Sequence, residues 1–118
     1  MYVDGFLVPV PEGKKDAYFA MAAKVWPMFK ELGVIQQVEC WGDDLPKGKL
    51  TDFFMAVKAE AGENVVFSWM TWPDKATRDE GWQKMMTDER MKPEGEMPFD
   101  GKRMFWGGFE VPFDSNVS

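Results

Sequence analysis

The stretch Val65-Val66-Phe67-Ser68-Trp69-Met70-Thr71-Trp72 decides the fold of this chain. It is rich in β-branched and aromatic residues, the Ala61-Gly62-Glu63-Asn64 turn precedes it and Pro73 closes it, so it reads as a strand. An antiparallel strand with one wet face alternates apolar with polar residues. This one does not alternate. Val65, Phe67, Trp69 and Thr71 share one face, while Val66, Ser68, Met70 and Trp72 share the other. The stretch predicts a sheet that is apolar on both sides.

Downstream, Asp74 is placed to cap a helix expected over about 75–87, with Trp82, Met85 and Met86 on its buried side. Residues 88–101 read as irregular, with one extra helical turn near Arg90. A last strand is expected from Arg103 to Phe109, followed by a tail over about 110–118. It carries Phe105 on one side and Met104 with Trp106 on the other, again apolar on both. Upstream, residues 50–59 are ambiguous, and a short helix or extended turn is expected around Phe53–Val57. Gly42 to Lys49 reads as a loop. A second strand is expected over 34–41, and a helix over about 14–32. In that helix Tyr18, Ala22, Val25, Phe29 and Leu32 recur at helical spacing. Pro27 predicts a kink within it, and Gly33 a stop. Residues 2–8 read as a first strand closed by Pro9 and Pro11.

The order β-α-β-β-α-β predicts an α+β, ferredoxin-like domain over residues 1–118, with a four-stranded antiparallel sheet and both helices on one face. Two apolar faces and only two helices leave one face to be covered. A second copy of the chain, sheet against sheet, is the expected cover, which makes a homodimer.

The 118 residues include no histidine, which removes the commonest metal ligand and the commonest general base. Fourteen Lys and Arg against twenty Asp and Glu give a net charge of −6, which disfavours nucleic acid and anionic membranes as partners. The N-terminus shows no secretory pattern, and no apolar run approaches the roughly 18 residues of a membrane span. Cys40 stands alone, so a cytoplasmic location is expected. Asn116-Val117-Ser118 fits a glycosylation sequon, which in such a tail is expected to be chance.

Asp4, within the first strand, is a candidate acid or base, or else half of a structural ion pair with Arg103 of the last strand. Glu39 allows the same two readings. Ser68 could point into a pocket, yet it lacks a histidine base and a Gly-x-Ser-x-Gly turn. Cys40 reads as a small buried apolar residue. Trp41, Trp69 and Trp106 could wall a site for a flat apolar ligand, or serve core and interface packing. Asp100-Gly101 suits a tight turn, and Arg103 could hold a carboxylate ligand or an internal partner. Asp43, Asp44 and Asp52 lack calcium-loop spacing, and Gly42–Lys49 lacks the residues of a phosphate loop. Neither a metal nor a cofactor is expected.

Several segments carry a family resemblance: Tyr2-Val3-Asp4-Gly5-Phe6, Val38-Glu39-Cys40-Trp41-Gly42-Asp43-Asp44, Ala56-Val57-Lys58-Ala59 and Val65-Val66-Phe67-Ser68-Trp69. Met97-Pro98-Phe99-Asp100-Gly101-Lys102-Arg103-Met104 and Gly107-Gly108-Phe109 complete the set. Together they resemble the DUF1428 family of small uncharacterised bacterial proteins. The resemblance implies a dimeric α/β barrel, related in fold to antibiotic-biosynthesis monooxygenase-like proteins, and supplies no reaction. Some members carry a label tying them to the 4.5S RNA of the signal recognition particle, which the acidic composition does not support. Pro27 and Pro93-Glu94-Gly95-Glu96 depart from the family pattern.

The expectation is therefore a cytoplasmic homodimer that binds a small apolar or aromatic molecule between helices and sheet. The alternative is a cofactor-independent monooxygenase-like enzyme, with Asp4 or Glu39 as base and Arg103 as anion holder. An RNA-associated protein is the distant third.

Overall fold

A computed structural model of the protein describes residues 1–92 and 95–117. Positions 93 and 94 of the stretch read as irregular, and Ser118 of the sequon, lie outside the described residues. The element order is β1 (Tyr2–Pro11), α1 (Lys15–Glu31), β2 (Gln36–Trp41), α2 (Phe53–Ala56), β3 (Glu63–Trp72), α3 (Lys75–Met86) and β4 (Phe105–Glu110). The four strands form one antiparallel sheet in the order β2-β3-β1-β4, the ferredoxin-like arrangement. The sheet is open, with β2 and β4 as its edges, and one chain does not close it into a barrel.

Register divides the side chains into two sets. Tyr2, Asp4, Phe6, Val8 and Val10 of β1 align with Trp72, Met70, Ser68, Val66 and Asn64 of β3. This set faces α1 and α3, and it supplies the core with Tyr18, Met28 and Phe29 of α1 and Met85 of α3. The opposite set includes Val3, Gly5, Leu7, Val38, Cys40, Val65, Phe67, Trp69, Phe105, Gly107 and Phe109. α2 packs against β1 and β3, and its Phe53 ring meets Phe67 edge-on. It thereby covers part of this second face. The rest of the face has no helix over it; Phe109 is 62% exposed, and Phe67 stays 47% exposed even beside Phe53.

β1 continues through both prolines that were expected to close it. β4 ends opposite Leu7, so Pro9 and Pro11 fall where β1 has become an edge on that side, a place where a strand tolerates a missing N–H. α1 likewise continues through Pro27. It stops at Gly33, whose φ of 110° suits glycine. There the Gly33 N–H donates to the Lys30 carbonyl and the Val34 N–H to that of Phe29, the paired bonds of a Schellman ending. Asp74 caps α3 by accepting the Thr77 N–H at 2.7 Å. A single 3-10 turn follows at Glu89–Met91, near Arg90 as expected.

Three expectations need correction. β2 begins at Gln36, since Val34 is spent on the helix ending. β4 begins at Phe105, since Arg103 belongs to a turn in which the Arg103 and Met104 N–H groups donate to the Asp100 carbonyl. Met86, the last residue of α3, is 83% exposed, while Met85 beside it is buried.

α3 lies close to the sheet because residue 81 is glycine. A Cβ there would stand 2.7 Å from the Trp72 ring and 3.3 Å from the Leu32 carbonyl. Arg78 and Trp82, three residues before it and one after, are thereby brought down onto β1.

Candidate functional site

Asp4 is the most deeply buried ionisable group described, with no solvent exposure. Its Oδ2 accepts from Trp72 Nε1 at 2.9 Å, Trp82 Nε1 at 2.8 Å and Arg78 Nε at 3.1 Å. Its Oδ1 accepts from Arg78 Nη2 at 2.8 Å and Nε at 3.2 Å. Arg78 and Trp82 reach it together because they are four residues apart on one face of α3. Arg78 Nη1 donates to Asp79 at 2.9 Å, and the hydrogen bonds to Asp4 first of all hold the guanidinium above its ordinary pKa. Its cation lies 5.3 Å from the Tyr2 ring, 5.6 Å from Trp106 and 5.9 Å from Trp82. Trp82 and Trp106 stack at 4.8 Å with their planes 16° apart. Both carboxylate oxygens are occupied by donors and the group has no solvent exposure, so the arrangement ties α3 to β1 and β3.

The ion pair expected between Asp4 and Arg103 does not form. Asp4 is opposite Gly108, five residues further along than Arg103, which is roughly 17 Å of strand. Arg103 instead donates from Nη1 and Nη2 to Glu63 at 2.6 and 2.7 Å, from Nε to Asp100 at 2.8 Å, and from Nη1 also to the Lys58 carbonyl at 3.0 Å. These bonds hold the Glu63 and Asp100 carboxyls below their ordinary pKa values. Arg103 therefore ties the turn before β4 to the start of β3 and has no fork left for an anion.

Glu39 occupies a third location, on the helix side of β2 opposite Ser68. It accepts from Tyr18 Oη at 2.8 Å and Gln37 Nε2 at 3.2 Å, and Ser68 also bonds it. Burial raises its pKa, against the lowering effect of these bonds. Burial foremost, then the adjacent carboxylate, raises that of Tyr18. All three side-chain donors to Glu39 are neutral. The Gln37 Oε1 atom is buried and has no partner among the described residues.

The candidates are thus not brought into one site. Asp4 and Trp106 belong to the Arg78 cluster, Glu39 and Ser68 to the Tyr18 cluster, and Asp100 to the Arg103 turn. Trp41 packs against Phe19 under Lys15. Trp69 is on the other side of the sheet, beside Phe67. Sequence reasoning missed Arg78, Tyr18 and Gln37 as partners. The one available signal was the four-residue spacing of Arg78 and Trp82 behind a capped helix start. Among the described residues, no group of three or more His, Cys, Asp or Glu could hold a metal.

A depression of about 840 Å³ opens on the bare sheet face, bordered by Val3, Gly5, Phe67, Trp69 and Phe109, with Thr71, Gln36 and Asp114 at its rim. Trp69 and Gly5, both in its lining, are cross-strand neighbours, and Gly107 continues that row on β4. The Phe109 ring packs over both glycines, where an added Cβ would meet it at 3.7–3.8 Å. A smaller hollow near Lys14, Phe99, Asp100 and Lys102 lies at the Arg103 end.

A family model described as a protein of unknown function, DUF1428, matches residues 1–101, which include β1, β2, β3 and all three helices. The chain belongs to the DUF1428 family. This DUF1428 protein is 63% identical over 114 residues to "Uncharacterized protein YbaA" of Escherichia coli K12, a match covering 96% of this chain and 97% of that one. The protein of the same name from Shigella flexneri matches to the same extent. No helix among the described residues is long and apolar enough to cross a membrane.

Proposed function

We propose that this DUF1428 protein is a homodimeric binding protein, assembled through the bare sheet faces of two copies into a barrel-like pair. The observation that carries the reading is the composition of that face. Its central residues Val3, Gly5, Leu7, Val38, Phe67, Trp69, Gly107 and Phe109 include no charge, on a chain whose net charge is −6. Net like charge opposes association, and a patch that carries no charge is where two copies meet with least local repulsion. A two-fold contact places the same patch on both sides, so an apolar face is its own complement. The occupied state of Asp4 and Arg103 supports binding over catalysis by these two groups.

A second reading rests on the depression. Its volume suits a small flat molecule, and its walls are aromatic with a few polar atoms at the rim. On this reading the apolar or aromatic ligand would bind the bare face, across the sheet from the helices, and not between helices and sheet.

The test is molar mass by light scattering after size exclusion at micromolar concentration, with Phe109→Asp as the variant. A dimer that dissociates in the variant, with the variant's far-ultraviolet dichroism unchanged, is the expected result. A monomeric parent protein would refute the proposal.

A further inference from the structure

We propose that the outer edge of β4 pairs antiparallel with the same edge of a second copy, about a two-fold axis at Gly107, joining the two sheets into one. The backbone carries the inference. In the ladder between β2 and β3, the Gly42 N–H donates to the Val65 carbonyl at 3.0 Å and the Ile35 N–H to the Thr71 carbonyl at 2.7 Å. Odd-numbered residues of β3 therefore turn their hydrogen-bonding groups to β2, and even-numbered ones turn theirs to β1. The Glu12 N–H, donating to the Gly62 carbonyl at 2.9 Å, extends the second ladder in the same phase. Register pairs even with even across β1 and β3, so Val3, Gly5 and Leu7 are left to bond Phe109, Gly107 and Phe105 of β4. The N–H and C=O groups of Trp106, Gly108 and Glu110 consequently point out of the sheet. No backbone bond among the described residues reaches them.

Such an edge is a template for another strand unless something blunts it. Pro9 and Pro11 blunt the part of β1 that extends beyond β4. At the opposite edge, the inward-directed carboxyl of Glu39 does the same for β2. β4 has neither proline nor lysine, its one charge, Glu110, is its last residue, and five of its six residues are exposed. The occupant is a second copy because the edge is its own complement. Phe105, Gly107 and Phe109 share one face and are symmetrical about Gly107. An axis there sets Phe105 beside the partner's Phe109, while Trp106 exchanges backbone bonds with the partner's Gly108. Glu110 passes beyond the partner's strand, so no like charges meet. Two-fold pairing uses up both β4 edges and closes, whereas β4 against β2 leaves ends open for further copies. Both bare faces then lie on the same side, so the pairing is compatible with the sheet-face contact without depending on that face's composition.

Backbone amide exchange of the parent chain, followed by nuclear magnetic resonance, reads the edge directly. The Trp106 and Gly108 amides are expected to exchange roughly a hundredfold or more slowly than that of Glu110, which this register leaves unpaired. A dimer in which all three exchange equally fast overturns the edge pairing and leaves the sheet-face contact standing. A monomer overturns both, and open-ended growth with concentration overturns the two-fold closure. A second measurement oxidises Gly107→Cys in a Cys40→Ser background. Opposed residues of a non-hydrogen-bonded antiparallel pair stand about 4.5 Å apart at Cα, within disulfide reach. A Cβ at Gly107 meets the Phe109 ring at 3.7 Å, an ordinary contact, so the fold should survive, and far-ultraviolet dichroism checks that it does. A disulfide-linked pair, identified by mass, is expected. A variant that is dimeric yet unlinked overturns the placement of the axis.

Discussion

Replacing Arg78 by Met tests the account of Asp4 most directly. Methionine keeps much of the apolar stem lying against Tyr2, Trp82 and Trp106 and removes the guanidinium. Asp4, with no exposure, would then keep two indole N–H donors and lose all three contacts from the cation. Breaking a buried pair on one side costs about 3–5 kcal/mol. Arg78 itself is 15% exposed, which favours the lower end, about 3 kcal/mol. A chain of 118 residues unfolds with an entropy of roughly 0.25 kcal/mol/K, so the melting temperature should fall by about 12 °C. Urea unfolding followed at 222 nm gives the free energy, and calorimetry gives the midpoint. The partner variant, Asp4→Asn with Arg78→Met, removes both charges and should recover a large part of the loss, so a double-mutant cycle yields a clear coupling energy. A loss below about 1 kcal/mol for Arg78→Met, the scale of an exposed pair, would refute the view that this pair supports the fold.

Glu39 is raised by burial, so the native state holds its proton more tightly than the unfolded chain, and stability falls as pH rises through the raised value. Glu39→Gln removes that titration, so its melting temperature relative to the parent should climb from pH 4 to pH 8; a flat difference would contradict this. Glu63 and Asp100 are lowered by Arg103, so their contribution is present above the ordinary carboxylate range and lost as pH falls below it. Arg103→Ala should therefore lower the melting temperature more at pH 7 than at pH 3, and an equal loss at the two pH values would contradict this. Gly108→Ala places a methyl group against the Tyr2 side chain and should lower the urea midpoint by the equivalent of about 1–3 kcal/mol, the cost of overpacking.

Much of the architecture was legible because it follows from periodicity. The stretch at 65–72, apolar on both faces, the stripe from Tyr18 to Leu32 and the Asp74 cap each specify a local structure, and the order of elements then leaves one economical topology. The prolines at 9 and 11 misled because a proline's tolerance depends on where the neighbouring strand ends. That is a property of β4, almost a hundred residues away. The partner of Asp4 was illegible for a similar reason. Strand adjacency suggested Arg103, but the register moved Arg103 down the sheet, and the cation that arrived came from a helix across the layer. A buried carboxylate advertises that it needs a partner, and only packing determines which one. Tyr18 was read as one apolar tooth of a helix stripe, although its hydroxyl is what meets Glu39.

Gly81 bears no charge, hydrogen-bonds through no side chain and touches no candidate residue named in the sequence. Yet the absence of its Cβ fixes the gap between helix and sheet, and that gap is the lever arm of Arg78 and Trp82. An alanine there would push the helix outward by a fraction of a bond length, and every bond to Asp4 from that helix would lengthen together. The electrostatics of the deepest group in the protein are thus metered by one missing methyl. Screening for altered behaviour at Asp4 should therefore begin with the spacer and only afterwards turn to the ions.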